Sequence, residues 1–460
     1  MQQKKETHNP VTKNQAILLV LSILSIISTS LLVLKVEPHV PIFLSLVLLI
    51  LFSLTTKRSW KFIEKSIITG LNAGLIPIFL FILIGMLIAV WMLSGTIPTF
   101  IYFGSLVVSE KFFLPSVFVV TAIVGSFLGS AFTTASTVGL AFMAIGITLG
   151  INPAIVAGAI ISGAFLGDKM SPLSDTTNIA AAVCKVDLFE HIKHMLWTTV
   201  PAFIICIIAF TFMSKGSLNV TDNNLRELSI TLKELGLVNP MSIIPVLIMF
   251  VLAWKRTPTV LVLLTGIFTG LLVTFINQHS ISISEVMGTM QNGFIANTGD
   301  ESLDRMLSRG GIQSMMWSIS LVFLTLMMGG VIKALKIMER IMELIVRMIT
   351  TTGRLFAATA FTAIGVNITI GEQYMSIILT GNTFEKEFEN RGISRKNLAR
   401  ILEDAGTVIN PLIPYGVSGV FMASVLGVGV LEYLPFALFC LVSPILTVFY
   451  GFTGISVKKG

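Results

Sequence analysis

Apolar runs alternate with polar interruptions along the whole chain, and the interruptions are of two kinds. The first kind separates one run from the next. Runs at about 16–34, 40–54 and 71–93 approach the ~20 residues that cross a hydrocarbon core, and they predict spanning helices. Lys57, Arg58, Lys61 and Lys65, with Trp60 and Phe62 among them, predict a basic collar with an aromatic anchor between the second and third runs. The piece from Gly95 to Val108 is short for a crossing and predicts a re-entrant or interfacial segment before Glu110-Lys111. Asp187 to His194 predicts an amphipathic connection ahead of a helix at 195–213. A polar loop at 214–237, a hairpin of helices at about 240–254 and 257–276 around Lys255-Arg256, and a mildly acidic stretch at 277–310 follow. The last runs are 311–334, the stretch up to Ile370 and about 431–452.

The second kind of interruption falls inside apolar runs. Gly129 to Thr137 divides the run from Phe113 to Leu149 with small and hydroxylated residues, among them Thr133, Thr134 and Ser136. The run 151–166 delivers the chain to Gly167-Asp168-Lys169-Met170-Ser171-Pro172-Leu173-Ser174-Asp175-Thr176-Thr177-Asn178. Later come Asn367-Ile368-Thr369-Ile370-Gly371-Glu372, and Glu403-Asp404 leading to Asn410-Pro411 and Pro414. Polar residues at membrane depth pair, line a cavity or bind something, and a broken helix there exposes backbone only where it is covered or lines a cavity.

The two halves share this pattern. Thr121-Ala122-Ile123 precedes the first break as Thr362-Ala363-Ile364 precedes its counterpart; Asp168 falls opposite Asn410, and Pro172 opposite Pro414. The run at 71–93 starts from a basic stretch, whereas 311–334 starts from an acidic region and ends in a basic one, so the halves are expected to face opposite ways. The expected fold is an all-α polytopic membrane protein with two inverted-topology repeats, interrupted helices, re-entrant segments and about 12–13 membrane segments. Its parts are 1–65, a cytoplasmic tail and two leading helices; 66–213, the first repeat; 214–310, an outer loop, connecting hairpin and outer polar linker; and 311–460, the second repeat.

Composition agrees: 54% of the 460 residues are hydrophobic and 12% charged, with mean hydropathy +0.89, against about 25% charged in soluble domains. The net charge of +7 sits between apolar runs, which is topology rather than a nucleic-acid surface. Lys4, Lys5 and Lys13 precede a first run too long for a signal peptide, so a retained helix with a cytoplasmic N-terminus is expected. Cys184, Cys206 and Cys440 have no metal-binding spacing and read as packing residues. His191 and His194 lack an HExxH context and a third ligand, and read as part of the amphipathic connection. No Walker A or GxSxG motif is present, so neither ATP hydrolysis nor serine chemistry is expected.

The interruptions point to a secondary transporter with its site at the repeat interface. Carboxylates, hydroxyls and freed carbonyls are hard oxygen ligands suited to Na⁺ or H₃O⁺. Asp168 and Asp175 lie seven residues apart with Pro172 between them, so they flank an opened segment. A carboxylate poised between desolvation and a nearby ammonium, here Lys169, can hold a proton or a cation. The candidate site comprises Asp168, Ser171, Ser174, Asp175, Thr176, Asn178, Thr133, Thr134, Ser136, Asn367, Thr369, Glu372, Asp404 and Asn410, with Asp168 and Asp175 as the carboxylates that hold the transported Na⁺. Glu403 and Asp404 adjoin Arg400 and can equally be read as a structural pair with it.

The stretch 167–178, followed by Asp187-Leu188-Phe189 and the run from His191 to Pro201, closely resembles the NhaC family of Na⁺/H⁺ antiporters, and Leu402 to Val408 with Pro411 to Pro414 looks like that family's second signature. The resemblance implies exchange of Na⁺ or Li⁺ for H⁺ in the bacterial inner membrane, with no cofactor; both termini are expected in the cytoplasm. The alternative is a Na⁺/H⁺-coupled organic-acid antiporter of the malate/lactate type. The partners expected are the lipid bilayer and the transported ions, with a small organic anion under the alternative and a homodimer as the assembly left open. Two departures lie near the pocket: Tyr415-Gly416-Val417-Ser418-Gly419 stands where the family has an aromatic followed by Asn-Thr-Cys-Gly, and Ala131-Phe132-Thr133-Thr134 where a Trp-Gly pair is common.

Overall fold

The computed structural model describes residues 11–107, 112–216, 230–255, 257–299, 304 and 307–460. Val108, Glu110, Lys111, Arg256 and most of the 214–237 loop lie outside the described residues. Among the described residues the chain is helical, with one isolated antiparallel bridge between Ile393 and Lys459. Within these described residues seven helices are long and apolar enough to cross a membrane, or up to nine if each of two bent pairs is one span; four further apolar helices are shorter. The surface confirms the solvent. On the helix Leu188–Gly216, Ala202, Cys206 and Phe210 are buried on one face while Ile204, Ile208 and Phe212 are exposed on another. A helix apolar on both its core face and its outer face belongs in lipid.

Helices α1 (Lys13–Ser28) and α2 (His39–Thr55) lead into α3 (Trp60–Ala73) and α4 (Leu75–Leu93). The run expected at 71–93 is therefore two helices meeting at Gly74. Ser59 caps α3 by accepting the Phe62 N–H at 3.3 Å, so Lys61 and Lys65 of the expected collar lie on a helix. Next come α5 (Thr96–Val107), α6 (Phe113–Leu128), α7 (Ala131–Thr134), a π-helical turn (Ala135–Gly139) and α8 (Leu140–Thr148). After them are α9 (Pro153–Met170), α10 (Asp175–Val183) and α11 (Leu188–Gly216). Asp187 accepts the N–H groups of Phe189 and Glu190 at 3.0 Å each, so the connection expected at 187–194 is instead the first turns of α11.

The hairpin is α12 (Ile244–Trp254) and α13 (Thr259–Asn277), followed by α14 (Ile283–Asn292). The second half comprises α15 (Ile312–Ala334), α16 (Ile337–Arg347), α17 (Thr352–Ile370) and α18 (Gln373–Asn390). It continues through α19 (Arg395–Ile401), a π-helical turn (Leu402–Thr407) and a 3-10 turn (Asn410–Leu412) to α20 (Val417–Leu426), α21 (Val430–Tyr433) and α22 (Leu438–Thr453). Both halves thus run long helix, short helix, two broken helices, long helix.

Each first break is a left-handed glycine: α6 ends at Gly129 (φ 63°) and α17 at Gly371 (φ 76°). Glycine also lets α9 press its backbone onto α6. A Cβ added at Gly167 would sit 2.6 Å from the Ser126 nitrogen and 2.7 Å from the Gly125 Cα. That contact sets Asp168, one residue on, beside the break at Gly129. The halves meet reciprocally. Phe132 of α7 stacks on Phe421 of α20 at 4.1 Å, while α10 packs against α18.

Candidate ion-binding site

Asp168 and Lys169 occupy the last turn of α9, and the chain opens only at Ser171–Ser174 before α10 begins. The opened backbone is closed locally. The Thr177 hydroxyl donates to the Lys169 carbonyl at 3.0 Å, and the Asn178 amide donates to the carbonyls of Pro172 (3.0 Å) and Ser174 (2.7 Å). Ser171 accepts the Leu173 N–H at 3.2 Å. Asn178 is therefore a clamp on the break, exposed beyond its amide, and Asp175 is exposed at the start of α10.

Asp168 is buried, 7% exposed, and its carboxylate faces the Ser174 hydroxyl and the backbone N–H of Ala131, the first residue of α7. Ser174 in turn shares a hydrogen bond with Thr176 at 3.0 Å. The two first-half breaks thus interlock around one carboxylate: a Cβ at Gly129 would lie 2.6 Å from the Leu173 Cβ and 3.0 Å from the Ser171 Oγ. Asp175 reaches Asp168 electrostatically, and Tyr374 of α18 lies within range of both. The Asp168 carboxylate and the Ser174 and Thr176 hydroxyls thus form a chain of hard oxygen groups. Among the described residues no three His, Cys, Asp or Glu side chains cluster as a transition-metal site.

The remaining candidates fall in three groups. Thr133, Thr134 and Ser136 are buried, but their hydroxyls are engaged within their own helix, with Ser130 Oγ (3.1 Å), Ser130 O (2.9 Å) and Phe132 O (2.9 Å). Thr369 likewise donates to Gly365 O at 2.8 Å. Asn367 and Asn410 clasp each other: Asn410 donates to the Asn367 Oδ1 at 2.9 Å, Asn367 donates to the Gly406 carbonyl at 2.6 Å, and Asn410 accepts the Ser418 N–H at 2.8 Å. Glu372 caps α18, accepting the N–H groups of Tyr374 (3.0 Å) and Met375 (2.7 Å). These residues hold the second-half breaks closed.

Asp404 is committed elsewhere. It forms an ion pair with Lys169, both fully buried, and also accepts from Thr198 (3.1 Å) and Ser443 (3.2 Å). Lys169 Nζ lies 5.6 Å from the Phe439 ring centre. The pairing read from proximity to Arg400 does not form. Arg400 donates to Ser456 at 2.6 Å and sits over Tyr450 instead, acting on Asp404 without a direct contact.

A model of the Na⁺/H⁺ antiporter family matches residues 163–455, which contain Asp168, Lys169, Glu372 and Asp404. This chain belongs to that family. It is 45% identical over 436 residues to the Na⁺/H⁺ antiporter NhaC of Alkalihalophilus pseudofirmus, covering 95% of this chain and 94% of the relative. It is 39% identical over 456 residues to the NhaC antiporter of Bacillus subtilis, covering 99% and 100%. The malate-2H⁺/Na⁺-lactate antiporter of Bacillus subtilis is 32% identical over 415 residues, covering 90% and 88%. The NhaC resemblance read from residues 167–201 therefore extends over nearly the whole antiporter chain.

Two buried groups escaped the sequence reading. Glu403 is fully buried; among the described residues the Thr407 hydroxyl is the one donor beside its carboxylate, and neither oxygen makes a well-formed hydrogen bond. His191, expected at a surface, is fully buried with both ring nitrogens unpartnered, on the side of Lys169; His194 is nearly buried and meets Asn397 at 3.2 Å. His194 also lines a cavity of ≈ 340 Å³ with Glu190, Lys193, Trp197, Lys396 and Lys458. The available signal was the Glu-Asp pair itself: adjacent helical residues point in different directions, so both cannot meet one arginine.

Proposed function

We propose that this chain is a secondary active transporter that exchanges Na⁺ or Li⁺ for H⁺ across the bacterial inner membrane, with both termini in the cytoplasm. Asp168 binds the cation, with the hydroxyls of Ser171, Ser174 and Thr176 as further ligands and Asp175 at the approach. The observation that carries this reading is the division of charge at the end of α9. Lys169 is committed to Asp404, whereas among the described residues Asp168 has hydrogen-bond donors but no fixed counter-cation. A buried carboxylate without a fixed partner is neutralised by a proton or by a cation, and both cannot occupy it at once. That competition, joined to alternating exposure of the site, produces antiport. The matching order of elements and the reciprocal α7–α20 and α18–α10 contacts support two inverted repeats that rock about this site. Transport on this scheme requires no cofactor and no covalent chemistry.

An organic-acid exchanger needs a cationic group free to meet the substrate carboxylate. Lys169, the ammonium nearest the breaks, already holds Asp404. The discriminating experiment uses purified protein in proteoliposomes with an imposed pH gradient and a lumenal pH dye. Na⁺ and Li⁺ are expected to discharge the gradient, and malate or lactate alone to leave it intact. Discharge by malate without Na⁺ or Li⁺ overturns the assignment.

A further inference from the structure

The π-helical turn Leu402–Thr407 places Glu403 and Asp404 on different sides of one buried strand of backbone. Asp404 faces Lys169, Thr198 and Ser443 and takes all three donors on Oδ1, its Oδ2 having none among the described residues. Glu403 has one donor within reach, the Thr407 hydroxyl. Among the described residues neither carboxylate oxygen makes a well-formed hydrogen bond, although both residues are fully buried. Among the described residues, the charged groups that act on Glu403 are Lys169, Asp168 and Asp404. Arg400, one turn earlier, acts on Asp404 and is turned to Ser456 and Tyr450. The turn also packs on α10, which begins at the exposed Asp175, and on α19, which carries Arg400; the remaining elements against it, α17, α18 and α22, each contribute a further buried hydroxyl that lacks a partner among the described residues: Thr362, Thr380 and Thr447.

An ionised carboxylate served by one hydroxyl alone is costly in a membrane interior, and protonation removes most of that cost. Asp168 differs, having the backbone N–H of Ala131 as well as the Ser174 hydroxyl to stabilise its anion beside a cation. We propose that Glu403 carries a proton of its own, distinct from the proton that competes with Na⁺ at Asp168. Glu403 is protonated when the cation site is empty and releases its proton as Na⁺ neutralises the Asp168 side of the same centre. This assignment rests on the antiport reading above and adds one proton per cycle to it.

The test is the H⁺:Na⁺ ratio, taken in proteoliposomes from the Na⁺ gradient at which net flux vanishes under a fixed pH gradient. Exchange of ²²Na⁺ against Na⁺, which moves no protons, is followed alongside. In Glu403→Gln the ratio is expected to fall by one proton while Na⁺/Na⁺ exchange stays within about twofold of the parent. An unchanged ratio overturns the proposal. Should Glu403→Gln carry no flux at all, Glu403→Asp decides: a displaced pH profile for Na⁺/H⁺ exchange supports the assignment, and the parental profile overturns it. Absence of any Na⁺ flux in the parent protein is a different result, because it removes the antiport reading itself.

Discussion

Asp168 and Asn410 stand at the second break of their respective halves, each beside a left-handed glycine that ends the preceding broken helix. The Asn410 side chain has found partners on both its ends: Asn367, the Gly406 carbonyl and the Ser418 N–H form a closed network, and Val417 N–H reaches the Gly371 carbonyl at 2.9 Å. Around Asp168 the backbone is closed just as fully, by Thr177 and Asn178, but the side chain is left with a charge that nothing fixed balances. An amide satisfies its donors and acceptors without carrying charge, so it can finish a network. A carboxylate cannot, and on the proposed mechanism that residual demand is what the transported ion meets. The comparison separates the scaffold of a break from its chemistry.

The largest effect is expected at the ion pair that joins the halves. Lys169→Met leaves Asp404 buried without its cation and should lower stability by about 3–5 kcal/mol, read as a fall in melting temperature in detergent. Lys169→Met with Asp404→Leu should recover most of it; failure to recover would mean that the pair does more than balance charge. Asp168→Asn makes the first half resemble the second. It should reduce Na⁺-dependent proton flux by about a hundredfold, roughly 3 kcal/mol of lost ligand interaction, while melting temperature holds or rises. Flux near the parental level would place the cation elsewhere.

Asn410→Ala opens the closed network and leaves the Asn367 carbonyl and the Ser418 N–H unpaired, at about 1–3 kcal/mol of stability. Its H⁺:Na⁺ ratio should be unchanged, since the network holds the fold and no ion. The smallest effect is expected at the caps. The first half caps its α7 arm with Ser130, which accepts the Thr133 N–H at 3.2 Å, where the second half uses Glu372. Glu372→Ser should therefore cost under about 1 kcal/mol and leave transport intact. A strong transport defect would give Glu372 a role beyond capping.

The sequence determined where helices break, because the agents of breaking are local. Pro172, Pro411 and Pro414 remove amide donors, and Gly129 and Gly371 accept the left-handed conformation that ends a helix. It also determined membrane residence and the polar inventory at each break. Boundaries set by a single cap were misplaced: Ser59 and Asp187 start helices several residues before the apolar runs do.

What the sequence left open was which polar residues remain unsatisfied. Lys169 finds Asp404 from 235 positions away, and Asn367 finds Asn410 across 43; neither distance leaves a periodic trace. Glu403 and Asp404 are neighbours in sequence, with opposite fates decided by one π-helical turn and the helices packed on it. Hydrogen bonds are short-ranged and pairwise, so the groups a site has to spare are known only after the tertiary fold has consumed the rest. The stretch 167–178 carried its oxygen groups in its own sequence; the fold engaged Lys169 with Asp404 and Asn178 with the opened backbone, and left Asp168 without a fixed cation among the described residues.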